Sequence, residues 1–237
     1  MKHSIIIHVY NEAKRIAKNI DAIFAFFSPY SKSLEVIFVN DGSCDGTEEI
    51  LKRFQKIYDF KILGYNKNRG KGYAVRRGVL ASRGDWVVFF DIDLAVPLTE
   101  FEHLLSFQAL DDQVIIGSRR LRDSRIGRSE SFIRTFLGQG FSFLSNFFVP
   151  EVPDFTCGFK CFSQNAAQKI FSRARVSRWA FDTEIIYIAK LQKIPIRQMS
   201  IFWTHDNDSR VRVIKDIATS VKELVEIKLN QLRGFYD

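Results

Sequence analysis

Five times in its first half the chain runs through a short apolar stretch and stops at polar residues. The runs are Ser4 to Tyr10, Leu34 to Val39, Phe60 to Tyr65, Trp86 to Phe90 and Val114 to Ile116. Each has strand length, and the residues between them carry apolar side chains at helical spacing: Ile16, Ile20, Ile23 and Phe27, then Ile50, Leu51, Phe54 and Ile57. A third helix is predicted through about Ala81, and a fourth carries Phe101, Leu104 and Leu105. Asn11, Asp45 and Thr99 stand where N-caps are expected. Continuous apolar strands alternating with helices specify an α/β fold, a mostly parallel central sheet with helices on both faces. Such a sheet binds its ligands beyond the carboxyl ends of its strands. Tyr10-Asn11-Glu12, Asp41, Asn66 to Lys71, Asp91 with Asp93, and Arg119 all fall at such ends. Five polar clusters sharing one edge predict a site.

The fourth end carries the most chemistry. Trp-Val-Val-Phe-Phe at 86–90 leads into Asp91-Ile92-Asp93, and residues i and i+2 of an extended segment point the same way. Two converging carboxylates repel unless a cation or a proton joins them. Oxygen ligands of this kind suit Mg2+ or Mn2+, held by one or two carboxylates plus substrate phosphates. A pair of solvated aspartates is the bland alternative for an isolated motif of this length.

The second half reads differently. Six arginines (119, 120, 122, 125, 128 and 134) lie between Arg119 and Arg134 against two acids, Asp123 and Glu130, in a chain of net charge +8. The run is a solvated loop or a binding surface for an anion. Phe132 to Val149, in a protein with 23 phenylalanines, is apolar around more than one helix face and serves either the core or a membrane surface. Thr156 to Phe162 suggests a short strand or hairpin, Ser163 caps a helix, and Ile196 to Trp203 reads as one late strand. Val211 to Leu232 is a long amphipathic helix. Asp182 and Glu184 begin a helix, where acids serve the helix dipole or a site. No linker or repeat interrupts the 237 residues, so one domain is expected, with 1–119 and 120–237 as its halves. Met-Lys-His leads directly into a β-like segment, no signal sequence is expected, and no apolar run reaches transmembrane length. Cys44, Cys157 and Cys161 lack metal-site spacing and read as free thiols of a reducing cytosol.

Several classes are set aside on the residues. Gly70-Lys71-Gly72 is followed at the sixth position by Val75 and lies outside the first βα turn, against a dinucleotide fingerprint; no G-x-x-x-x-G-K-[ST] occurs. Ala95 stands where a haloacid-dehalogenase-type phosphatase has threonine.

Val9-Tyr10-Asn11-Glu12, Asn40-Asp41-Gly42-Ser43, Asn68-Arg69-Gly70-Lys71-Gly72, Asp91-Ile92-Asp93 and Gly117-Ser118-Arg119 resemble the ordered motifs of family 2 glycosyltransferases with the GT-A fold. Cys157-Gly158-Phe159-Lys160, Arg178 to Glu184 and Trp203-Thr204 are similar to dolichyl-phosphate and polyprenyl-phosphate glucosyltransferases. His8 stands in place of the family's usual proline, Asn40 in place of the first Asp of D-D-G-S, and Leu94-Ala95-Val96-Pro97 in place of Leu-Gln-x-Pro. The resemblance implies inverting, metal-dependent transfer of a hexose, glucose from UDP-glucose before mannose from GDP-mannose, to a polyprenyl or dolichyl phosphate. It implies that Asp41 reads the base, that Tyr10 and Glu12 line its pocket, and that Lys71 lies near the nucleotide. Asp91 and Asp93 would hold the metal and sugar diphosphate, Arg119 and Arg134 the lipid phosphate, and Arg210 the donor diphosphate. Asp182 joins Asp91, Asp93 and Arg119 as a candidate for the chemistry. The expected place is the cytoplasmic face of a membrane, contacted peripherally, with no nucleic-acid partner. The competing class, a binding module for nucleic acid or anionic surfaces, accounts for the arginines but not for the acids gathered on the same edge.

Overall fold

The computed structural model describes residues 2–108, 112–128, 140–204 and 213–237, without the side chains of 128 and 213–218. Arg134, Arg210, His205 and residues 129–139 of the Phe-rich segment lie outside them.

The strands are β1 (His3–Val9), β2 (Leu34–Asn40), β3 (Lys61–Gly64), β4 (Trp86–Asp91), β5 (Val114–Ser118), β6 (Arg125–Arg128), β7 (Lys160–Ser163), β8 (Ile196–Ser200) and β9 (Phe202–Thr204). The helices that follow in the argument are α1 (Ala13–Phe27), α2 (Thr47–Phe54), α3 (Lys71–Leu80), α4 (Glu100–Leu105), α5 (Gln164–Arg173), α6 (Phe181–Leu191) and α7 (Val213–Leu232). Seven strands form the main sheet in the order β3-β2-β1-β4-β7-β5-β8. All run parallel except β7, which lies antiparallel to both β4 and β5. β6 and β9 form a second, two-stranded sheet.

Each face of the main sheet has its own core. Ile6, Val39, Phe89, Ile116 and Phe162 pack with Val75 and Val79 of α3, Ile170 of α5 and Ile185 of α6. Ile5, Ile7, Phe38, Val88 and Ile115 pack with Ile16, Ile20 and Ile23 of α1, Leu51 of α2 and Phe101 of α4. Alternation along the strands therefore fixes which face every residue at a strand end belongs to.

Four local expectations are corrected. Asn11 does not cap α1: its φ is +56° and its side-chain oxygen accepts from the Cys44 amide at 2.8 Å. The first amides of α1 are satisfied from the next loop instead, Glu12 by Thr47 Oγ1 and Ala13 by Asp45 Oδ2. Asp45 also accepts from the Thr47 amide at 3.1 Å, so one carboxylate serves the starts of α1 and α2. Thr99 precedes α4 but makes no side-chain cap, whereas Ser163 accepts from the Ala166 amide at 3.3 Å. The late strand divides at Ile201 because its two halves pair with different sheets. Between Thr156 and Phe162 only the end of the run is strand, and it runs against its neighbours.

Candidate active site

His8 pairs with Asp91 across β1 and β4, and Phe89 with Lys160 across β4 and β7. His8 lies two residues beyond Ile6, and Asp41, held by a 2.9 Å bond from its amide to Val9 O, lies two beyond Val39. By the same alternation Asp41, His8, Asp91 and Lys160 form a row on the face covered by α3 and α6. Each of these helices adds one charge from its first turn. Lys71 Nζ lies 2.6 Å from Asp91 Oδ1, and Asp182 Oδ1 accepts from Lys160 Nζ.

Close backbone contacts fix this arrangement. Gly70 has φ +103°, and a Cβ there would collide with Ser177 O and the Arg178 side chain, so the loop entering α3 lies directly against the loop entering α6. A Cβ on Gly158 would collide with Asp91 Oδ2. The turn before β7 is thus seated on the carboxylate that ends β4. β7 starts at this edge because it is antiparallel.

The charges act on one another. Burial opposes ionisation of Asp91, but Lys71 beside it, with His8 and Lys160 further off, holds its carboxyl below the usual range. Burial and the charge of Asp91 together push the Asp93 carboxyl up. Burial works against the Lys71 ammonium, yet Asp91, Asp182 and Asp93 raise it. For Asp182, burial pushes the carboxyl up against the pull of Lys160 and Lys71. The two carboxylates are thus driven in opposite directions, Asp91 by its pairing with Lys71 and Asp93 by burial and the neighbouring charge.

On the side expected to take the base, Asp41 is buried and already engaged. It accepts from Tyr65 Oη (2.7 Å), Asn68 Nδ2 (2.8 Å), the Arg69 amide (2.7 Å) and the Gly70 amide (2.9 Å). A carboxylate has about four acceptor positions, so base reading by Asp41 requires one of these donors to let go. Despite burial, these bonds and the His8 ring, 3.8 Å away, keep its carboxyl below the ordinary range. Asp41 anchors the loop from Tyr65 to Arg69, which lines an open cleft of about 720 Å³. The Tyr10 ring is exposed at the end of β1, while Glu12 pairs with Arg15 at 3.0 Å.

Arg119 does not stand free for a lipid phosphate. Its Nε and Nη2 both bond the buried Asp154 carboxylate at 2.8 Å, Nη2 also reaches Thr156 Oγ1 at 2.7 Å, and the guanidinium lies 5.4 Å from the Trp203 ring centre. It is a fixed cation at the rim of the turn before β7.

The two acids at the start of α6 separate. Asp182 belongs to the charge row. Glu184 accepts from the Arg175 and Val176 amides and from Tyr236 Oη, so it secures the loop and the C-terminal segment. Two residues of this network were given no role of their own by the sequence. Lys160 sits in an apolar strand pattern that gives no hint of a buried ammonium, and Asp154 lies 35 residues from its arginine. The cysteines are free: Cys44 is exposed, and burial pushes the Cys157 and Cys161 thiols up to about 11 and about 12.

Among the described residues no group of three or more His, Cys, Asp or Glu side chains gathers to hold a metal. The donor set at the end of β4 is two carboxylates, which fits a hard divalent ion that takes its remaining ligands from phosphate and water.

Residues 4–171 match the sequence profile of "Glycosyl transferase family 2". A dolichyl-phosphate beta-glucosyltransferase of Dictyostelium discoideum is 33% identical, and that of Homo sapiens 34%, each over 98% of this chain and 76% of the relative. Among solved structures, glucosyl-3-phosphoglycerate synthase from Mycobacterium tuberculosis in complex with UDP superposes with a TM-score of 0.68 at 17% identity, covering 96% of this chain and 79% of that one. A mannosyltransferase from Pyrobaculum calidifontis in complex with GDP-Man and Mn2+ gives 0.62 at 15% identity, covering 98% and 64%.

Proposed function

Because the chain belongs to glycosyl transferase family 2, we propose that it moves glucose from UDP-glucose to the phosphate of dolichol or a related polyprenol. The fold is GT-A. The observation that carries this reading is Asp91 paired with Lys71 at the end of β4, with Asp93 two residues on feeling both charges, in a chain that matches dolichyl-phosphate beta-glucosyltransferases along nearly its whole length.

Asp91 and Asp93 would hold Mg2+ or Mn2+. When bound, such an ion supplies positive charge against the negative charge that builds on the departing UDP. The other roles fall to this chain's own residues. Residues 1–119 bind the donor: the loop anchored by Asp41 and the exposed Tyr10 ring frame the base, Glu12 closes that side, and Lys71 turns from Asp91 toward the diphosphate. Residues 120–237 present the acceptor, with Arg119 as a fixed cation at the rim and Arg134 and Arg210 as further contacts for phosphate. The acceptor phosphate is already an anion and attacks the anomeric carbon opposite the leaving diphosphate. The C–O bond to UDP breaks as the new one forms. No proton has to be removed from the nucleophile, which suits a site with no histidine-activated serine or cysteine among the described residues.

The acceptor is a membrane lipid, so the protein works at a membrane surface, on the cytoplasmic side in this reading. No helix among the described residues is long and apolar enough to cross a bilayer.

The test is transfer of radiolabelled sugar into organic solvent with a polyprenyl-phosphate acceptor, using UDP-glucose, UDP-N-acetylglucosamine and GDP-mannose in parallel. UDP-glucose should dominate and require divalent metal. Asp93→Asn should abolish the product while retaining the cooperative melt. Label entering lipid mainly from GDP-mannose would overturn the glucosyl reading, and full activity of Asp93→Asn would overturn the metal role.

A further inference from the structure

Lys160 is completely buried, in the middle of the sheet, yet carries an ammonium. Its Nζ donates to Cys157 O at 2.6 Å and to Asp182 Oδ1, and lies 5.5 Å from the centre of the Phe89 ring. Removing an ammonium from water is costly unless it is paired and hydrogen-bonded. An apolar residue would fill the same place with less penalty, so stability alone gives no reason for a lysine here.

Its partners show what it controls. The Asp182 side chain keeps 8% of its surface exposed while that of Lys160 keeps none. Of the two side chains, only that of Asp182 reaches the surface of the site at all. Asp182 Oδ1 is occupied by Lys160, and Oδ2 has no hydrogen bond among the described residues. The second bond, to Cys157 O, fixes the turn whose next residue, Gly158, lies against Asp91 Oδ2. One buried cation thus ties α6, which carries Asp182, to the turn that seats Asp91.

We propose that Lys160 is a positioning residue for the transfer reaction: it clamps one oxygen of Asp182 and turns the other toward the bound substrates. The chemistry Asp182 then offers is a fixed, acceptor-only carboxylate oxygen, suited to a hydroxyl of the hexose being transferred. The proposal rests on the glycosyl-transfer reading above, and it adds a residue that acts through another without touching substrate.

A double-mutant cycle tests it, on kcat and on KM for UDP-glucose and for the lipid phosphate separately. Asp182→Asn and Lys160→Met should each lower kcat/KM by on the order of 10- to 100-fold, with the same division between kcat and KM. Lys160→Met leaves a buried carboxylate unpaired and is prone to unfold. Lys160→Met/Asp182→Asn removes both charges together and keeps the fold accessible. If Lys160 acts only through Asp182, the double variant matches Asp182→Asn within about threefold. A further loss of about tenfold or more in the double variant would overturn the proposal. So would a Lys160→Met enzyme with lowered melting temperature and wild-type kinetics, which makes Lys160 structural. A wild-type chain that forms no glucosyl lipid overturns the functional reading and this proposal with it; a wild type that turns over while the cycle is additive overturns this proposal alone.

Discussion

The Arg119–Asp154 pair makes the stability of the fold depend on pH. Burial opposes the Asp154 charge, yet the Arg119 guanidinium holds its carboxyl at about 2, below an ordinary 3.8. A carboxyl lowered by folding stabilises the native state above the unfolded pKa and loses that contribution as pH falls through the folded one. The window is therefore about pH 4 down to about 2, and the pair accounts for ~2 kcal/mol across it. Urea melts at pH 5, 3 and 2 should show this loss, and Arg119→Gln should flatten it; an unchanged acid slope in that variant would remove the pair from the account. Asp91, Asp93, Lys71 and Asp182 were legible because each stands at a strand end or a helix start, where sequence position implies placement. Lys160 and Asp154 were not, because their meaning comes from partners 22 and 35 residues away that no local pattern names. Asp41 was legible as part of the edge, but its saturation by the loop it holds depends on how residues 65–70 fold back.

At the scale of elements, α7 is coupled to the site through one carboxylate. Glu223 is buried and accepts from the Arg178 and Ala180 amides, both at 3.0 Å. These amides lie just before α6, so a helix distant in sequence caps the one that carries Asp182. Glu223→Ala should cost roughly 3 kcal/mol, the expected price of two amides left without their charged acceptor, read as a lower urea midpoint at unchanged m-value. A change within a few tenths of a kcal/mol would mean that water replaces the carboxylate without penalty. The strands of the first half were readable because continuous apolar runs have strand length and helical spacing between them. The direction of β7 was not readable: the pattern of Phe159 to Phe162 suits a strand in either sense, and only pairing with β4 and β5 sets its orientation. The break at Ile201 was hidden for the same reason.

On the scale of the whole molecule, the open question is how a water-exposed sheet edge meets a lipid. Phe143 and Phe147 are 66% and 75% exposed and form an edge-on ring pair 5.6 Å apart. Arg125 and the half-exposed Ile126 lie on β6. Apolar rings combined with basic residues suit insertion at an anionic interface. Flotation with vesicles containing anionic lipid should weaken several-fold for Phe143→Ser/Phe147→Ser and for Arg125→Glu/Arg128→Glu. Unchanged flotation in both would direct the search to the exposed face of α7, where Val221, Val225, Leu229 and Leu232 recur at helical spacing.

The reversed strand also shapes how the protein is made. β4 and β5 emerge from the ribosome early, but they are separated in the sheet by β7 and do not pair with each other. Until residue 163 has been synthesised, β4 lacks its β7 neighbour, and β5 lacks β7 on one side and, until residue 200, β8 on the other. The charge row cannot exist before then, because Lys160 and Asp182 are still to come. The half-made protein is thus at its stickiest just before the segment that joins β5 to the rest of the sheet, and a pause in translation over residues 120–160 would expose those edges longest.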